Sequence, residues 1–119
     1  MQSQLIIDRL EAKSAAAGNL PIIYAGDFNA SETLTDDAYN VFMNDGYQCT
    51  REFAQTADTH GGFNAFYRQD TSTFSRGDHV ITSKYCTSTM YDVLTDIDID
   101  DETGYHVSDH CPIVTTISY

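Results

Sequence analysis

The stretch Leu20-Pro21-Ile22-Ile23-Tyr24-Ala25-Gly26-Asp27-Phe28-Asn29 decides how this chain is read. An apolar run without polar alternation predicts a strand covered on both faces, placed centrally in a sheet. Pro21 falls in its first positions, where a missing N–H is tolerated. The run ends in Asp27 and Asn29, which flank Phe28, so in extended chain both polar side chains point to one side. The ends of inner strands are where α/β proteins build their sites. A carboxylate there can orient or deprotonate water or hold a metal ion through water. A carboxamide beside it can donate to an anionic oxygen without adding charge.

Upstream of this strand, residues 2–17 predict a helix. Leu5, Ile6 and Leu10, with Ala16 and Ala17, form its apolar stripe, Asp8, Glu11 and Lys13 face out, and Gly18-Asn19 supplies a stop. Downstream, Ser31 or Thr35 is placed to cap a helix over residues 35–44, whose apolar side is Ala38, Val41 and Phe42. Residues 47–57 fit a helix or an irregular stretch equally. Residues 58–77 are rich in Gly, Thr, Asp and Ser, with Phe63, Phe66, Tyr67 and Phe74 between them, and predict a long loop, with or without a short strand. Loops of that length in compact domains commonly carry function. A short strand is expected over 78–84, anchored by Val80 and Ile81. A longer one is expected over 88–99, where Thr95, Ile97 and Ile99 alternate with Asp96, Asp98 and Asp100. The last, over 112–118, carries Ile113, Val114 and Ile117. The pattern is one mixed α/β domain over 1–119, with antiparallel strands in its second half.

The chain carries 18 acidic against 6 basic residues, a formal net charge of -12, and has no Lys/Arg cluster. That disfavours a protein that grips nucleic acid through backbone charge alone, because the phosphates would not be neutralised. It leaves anionic substrates open, since a divalent cation can offset local charge. Cys49, Cys86 and Cys111 show no metal-site spacing and read as small buried thiols, with one disulfide plus a free thiol as the alternative. The compartment stays open between cytoplasmic and secreted, and no stretch approaches transmembrane length.

Two further clusters carry chemistry. Asp78-His79 opens the strand at 78–84, and Ser108-Asp109-His110 precedes the last strand. A site that uses both Asp109 and His110 needs a bend there, because neighbours in extended chain point apart; Gly104 and Pro112 make irregular geometry natural. A carboxylate behind His110 would fix its ring and favour its protonated form, and Asp78 is the candidate. Other signals carry less. Asp96, Asp98 and Asp100 resemble the start of a calcium loop, but Asp101 stands where such a loop needs glycine and Val107 where it needs glutamate. Asn29-Ala30-Ser31 matches a glycosylation acceptor and reads as accidental. His60, Arg68 and Arg76 are candidates for contacting an anionic substrate.

Three blocks, Gly26-Asp27-Phe28-Asn29, Arg76-Gly77-Asp78-His79-Val80-Ile81 and Ser108-Asp109-His110-Cys111-Pro112-Ile113, stand in this order, each beside an expected strand. Together they resemble the C-terminal half of the endonuclease/exonuclease/phosphatase superfamily, which has the deoxyribonuclease-I-like fold. Thr59-His60-Gly61-Gly62-Phe63 resembles a loop of its smaller bacterial phosphatase-like members. The resemblance implies half of a two-sheet α/β sandwich, mostly antiparallel with flanking helices. It implies a phosphoester hydrolase, phosphodiesterase or phosphatase, dependent on Mg²⁺ or Mn²⁺. Asp27 would hold or activate the attacking water and Asn29 would bind the scissile phosphate. Asp78 would orient His110, His110 would stabilise the transition state, and Asp109, with Asp27, would belong to the metal side. The substrate would be a phosphorylated small molecule, a lipid headgroup or a nucleic-acid phosphodiester. Gly77 stands where the family has a large aliphatic residue, and His79 where an aromatic is more usual. The family's first half, which supplies an asparagine, a metal-binding glutamate and a tyrosine or histidine, has no counterpart in these residues. The resemblance therefore implies self-association or pairing with that half. A catalytically inactive half acting as an interaction module is the alternative, and an acidic calcium-stabilised surface domain is a third.

Overall fold

The computed structural model describes residues 2–28, 38–63, 66, 77–96 and 102–119. The chain runs through helix α1 (Gln2–Ala16), strand β1 (Ile23–Asp27), helix α2 (Ala38–Asn44), strand β2 (Gln48–Cys49), helix α3 (Thr50–Phe53) and strand β3 (Thr56–Ala57). Strands β4 (Asp78–Thr82), β5 (Thr87–Val93) and β6 (Ile113–Ser118) follow. The strands form two three-stranded sheets, ordered β1-β4-β2 and β3-β5-β6. Among the described residues all pairings are antiparallel except the short parallel contact of β3 with β5. This α/β architecture, two small and mostly antiparallel sheets with helices, agrees with the half-sandwich expected from the sequence.

Both long helices end as their sequences dictate. At the end of α1 the Asn19 N–H donates to the Ser14 carbonyl at 2.8 Å and the Gly18 N–H to that of Ala15. Gly18 and Asn19 take φ of 93° and 62°. At the end of α2 the Tyr47 N–H donates to the Phe42 carbonyl and that of Gly46 to Met43, with Gly46 at φ 89°. Each is a Schellman closure, which needs a left-handed residue just past the helix. At α2 the accompanying hydrophobic contact is Tyr47 edge-on to Phe42, with ring centroids 5.3 Å apart. A Gly46→Ala chain is expected to lose about 1–2 kcal/mol of stability, because L-residues resist this conformation. Urea unfolding reads the loss, and an unchanged midpoint would contradict the assignment.

The main core lies between the helices and the first sheet. Ile7, Tyr39, Phe42, Tyr47, Cys49 and Ile81 are buried, with Tyr24 and Phe28 packed against them. Tyr24 stacks on Phe42 at 5.2 Å, and burying each such side chain contributes roughly 1.5–3 kcal/mol. The stripe of α1 differs from the expectation. Ile7 is fully buried beside partly buried Ile6 and Leu10, whereas Leu5 is 53 % exposed and Ala16 and Ala17 face solvent. The buried face of α1 is centred on Ile7, one residue round from the stripe counted on the sequence. A second, smaller cluster of Tyr91, Val93 and Cys111 holds the other sheet. The three cysteines are free and buried, and burial pushes the Cys49 thiol up.

Other expectations are corrected. Among the described residues β4, not β1, is the central strand of this sheet and β1 lies at its edge, with Ile23 49 % exposed and Tyr24 half-buried against the core. The stretch 47–57 divides into β2, α3 and β3, and α3 packs against both β4 and β5, joining the two sheets. β5 stops at Val93 rather than running to 99. The Leu94 N–H is taken by the Pro112 carbonyl and the chain turns at Thr95 and Asp96. The remainder of that acidic alternation, the start of the 35–44 helix with Ser31 and Thr35, and Arg68 and Arg76 lie outside the described residues.

Candidate active site

Strand register sets the first two residues. In the antiparallel pair β1–β4, Asp27 stands directly opposite Asp78. Like charges in facing cross-strand positions destabilise a sheet, so this pair needs a positive group beside it. His110 supplies one. Its Nδ1 lies 2.7 Å from Asp78 Oδ2 and its Nε2 4.0 Å from Asp27 Oδ2. His110 comes from the approach to β6 in the second sheet, so the site sits where the two sheets meet. The bend anticipated before it is present: the His110 N–H donates to Ser108 Oγ at 3.2 Å. Phe63 forms an isolated antiparallel bridge with His110 and sets its ring edge-on to the imidazole, 5.7 Å between centroids.

The dipeptide Asp78-His79 splits across the sheet as strand alternation requires. His79 is buried on the helix side, 4.5 Å from the Tyr39 ring and 5.3 Å from that of Phe28. It packs there, on the face opposite Asp78. Gly77, in place of a large aliphatic residue, accepts the Phe28 N–H at 2.8 Å and so continues the β1–β4 ladder beyond Asp27. Burial works against a charged His110 ring. The hydrogen bond and charge of Asp78, with the charges of Asp27 and Asp109, outweigh it and raise the pKa above the usual histidine value. A ring bonded through Nδ1–H to a carboxylate and directing Nε2 into a cleft is a proton carrier and an anion-oxygen donor.

The structure thus brings together Asp27, Asp78 and His110, with Asp109 half-buried next to His110. Asn29 lies outside the described residues. His60 pairs with Asp58, whose Oδ1 also accepts the His60 N–H. That pairing holds the 58–63 loop rather than leaving His60 as a loose loop residue. Gly62 and Phe63, which pack on Asp78 and His110, were not identified as site residues. Their sequence signal is the glycine pair ahead of an aromatic, within the stretch Thr59–Phe63 that resembles a loop of phosphatase-like members. A cavity of about 470 Å³ lies at the opposite end of β1 and β4, bounded by Glu11, Leu20, Tyr47, Ser83 and Tyr119, and contains none of the site residues.

A hard divalent cation fits part of this donor set. One ligand atom from each of Asp27, Asp78 and His110 lies within 4.8 Å of the others. However, Nδ1 of His110 and one Asp78 oxygen are already engaged with each other. The carboxylate of Asp27 and the second oxygen of Asp78 are the oxygen donors of this cluster left to suit Mg²⁺, which keeps several waters when bound.

In fold the chain matches solved endonuclease/exonuclease/phosphatase family structures over less than half of their length, as the C-terminal half of a domain of that superfamily would. It superposes with a TM-score of 0.83 and 27 % identity on a mannosyl-6-phosphatase of Bacteroides thetaiotaomicron, covering 98 % of this chain and 44 % of that one. An endonuclease/exonuclease/phosphatase family protein of the same organism gives 0.79 and 28 %, over 97 % and 43 %. A functionally unknown conserved protein of Enterococcus faecalis gives 0.73 and 22 %, over 97 % and 42 %, a likeness of fold. The chain therefore spans less than half the length of the structures it matches. No protein-family model and no curated protein matches it. Among the described residues no helix is long and apolar enough to cross a membrane.

Proposed function

We propose that this chain carries one wall of the active site of a divalent-metal-dependent phosphoester hydrolase acting on a small phosphorylated metabolite. The observation that carries this reading is His110, bonded to Asp78 at 2.7 Å and facing Asp27 across 4.0 Å. In the proposed reaction a water oxygen attacks phosphorus as the ester P–O bond breaks; Asp27 takes the water's proton and the leaving ester oxygen takes one from solvent to depart as the alcohol. His110 donates from Nε2–H to a non-bridging phosphoryl oxygen, where negative charge builds up, while Asp78 keeps the ring oriented. Asn29, two residues beyond Asp27, donates to another phosphoryl oxygen. Asp27 and Asp109 would hold the metal, Mg²⁺ or Mn²⁺, which when bound supplies charge neutralisation at the phosphoryl group.

The net charge of -12 favours a small phosphate over a polyanion. The similarity to a mannosyl-6-phosphatase supports a sugar phosphate in particular. The test is phosphate release from hexose 6-phosphates, set against hydrolysis of bis(p-nitrophenyl) phosphate, a phosphocholine lipid and DNA, with Mg²⁺ or Mn²⁺. It is run on this chain and on any longer form its gene encodes. Metal-dependent release from the sugar phosphate is expected; preference for a diester, lipid or DNA would replace the substrate, and no hydrolysis in any form would end the reading.

The same proposal extends to assembly. β1 and β6 have open edges among the described residues, and Leu20, Ile23 and Val114 are exposed near them at 57 %, 49 % and 40 %. The radius of gyration, 15.4 Å, exceeds the roughly 13.5 Å of a compact chain of this length. These edges and apolar residues suit the segment that completes the matched structures or, in its absence, a second copy. Sedimentation of the chain alone at high micromolar concentration should show dimers or larger species; a clean monomer would count against the open surface as an interface.

A further inference from the structure

We infer that Gly62 is a positioning residue of this site: its missing side chain is what lets Asp78 reach His110. The inference rests on the phosphoester-hydrolase reading for its functional meaning but not for its geometry. Gly62 is buried, and a Cβ placed on it would overlap Asp78 Oδ2 and lie 3.2 Å from Asp78 Cγ. Oδ2 is the atom that bonds His110 Nδ1. An added methyl can be accommodated only if the carboxylate swings away, and the bond to the imidazole goes with it. The backbone of Gly62 is not in the left-handed region. Its conformation is open to any residue, and the constraint is one of space alone.

The loop cannot readily give instead, because it is tied down on both sides. The Cys111 N–H donates to the Gly62 carbonyl at 2.6 Å, and Phe63 is bridged to His110. At the other end of the loop the Asp58 N–H donates to the Tyr91 carbonyl at 2.9 Å, and Asp58 Oδ2 accepts the Val93 N–H at 3.3 Å. The segment 58–63 is thus a strap from β5 to the Asp78–His110 pair, and Gly62 is its point of contact with the carboxylate. Sub-ångström displacement of such a pair is costly because the donor must match where charge develops.

The test is long-range ¹H–¹⁵N NMR of the His110 ring in the wild-type chain, Gly62→Ala, Asp78→Ala and the double variant, without metal. Gly62→Ala is expected to abolish the hydrogen-bonded Nδ1–H signal that the wild type shows. In the Asp78→Ala background, where the carboxylate is already gone, it should cause no further change. An unaltered Nδ1–H signal in Gly62→Ala, or an equal change in both backgrounds, would overturn the inference. If Gly62→Ala does not keep a dispersed amide spectrum, Phe63→Leu carries the test, since Phe63 is 43 % exposed and outside the cores. It should speed exchange of the His110 Nδ1–H with water at least several-fold, and an unchanged rate would equally overturn the strap. None of these signals requires turnover, so absence of hydrolysis would sink the functional reading while leaving this one decided on its own.

Discussion

Asp27→Ala is expected to lower kcat for metal-dependent phosphate release by about 10²–10⁴-fold, the usual contribution of a positioned proton acceptor. His110→Gln should cost about 10²–10³-fold, the range for removing one donor to a developing oxyanion. Both act on a charge that exists fully only in the transition state, so kcat should fall far more than KM changes. Neither side chain is part of a core: Asp27 keeps 40 % of its side-chain surface exposed and His110 35 %. Folding should survive, and a native-like amide spectrum is the control. Steady-state kinetics on a sugar phosphate, in whichever form of the protein is active, provides the measurement. Activity in Asp27→Ala within threefold of wild type would remove Asp27 from the mechanism. The double variant should be little worse than the more damaged single one, as groups that act together are not additive.

Asp78→Asn should have the second largest effect, through His110 rather than by contact with substrate. The raised pKa of His110 depends on the hydrogen bond and charge of Asp78, helped by Asp27 and Asp109, against a burial that opposes it. An asparagine keeps the shape and loses the charge, so the midpoint should drop towards the ordinary value of about 6.5. Catalysis at neutral pH should fall by about 10²-fold or more, because less of the ring is protonated and its orientation is no longer held. The same link appears in stability. A histidine whose folded pKa is raised stabilises fully below its unfolded value of about 6.5, and this contribution fades as pH rises through the folded value. Metal-free wild type should therefore lose stability across that interval, and Asp78→Asn should lack the slope. Urea midpoints from pH 5.5 to 8.5 measure it; parallel curves for the two chains would break the connection between Asp78 and the histidine.

Both predictions turn on residues whose importance was legible in the sequence to different degrees. Asp27 stands at the end of an apolar run and Asp78 opens another, so strand ends alone pointed to them. The choice of His110 over His79 and His60 was legible only from the motif around it. His79 is as close to Asp78 in the chain as a residue can be, yet alternation sends it into the core against Tyr39. The bond from His110 to Asp78 spans 32 positions and follows from how two sheets meet. Gly62 and Phe63 carried no catalytic chemistry of their own, so nothing in their residue types marked them before their neighbours were known.

The sequence by itself determined what is local. The ends of α1 and α2 follow from Gly18, Asn19 and Gly46, because a left-handed residue stops a helix wherever it sits. The approximate places of β1, β4 and β6 follow from apolar runs, and the split of Asp78 from His79 from period-two alternation. The tertiary structure decided what depends on distant partners: that β4 and not β1 is central, that Ile7 and not Leu5 enters the core, that β5 stops at Val93, and that Asp27, Asp78 and His110 converge. The physical reason is the same in each case. A hydrogen bond within a helix turn is encoded by neighbours a few residues apart, whereas register, edge position and the facing of two carboxylates exist only once separate strands have paired.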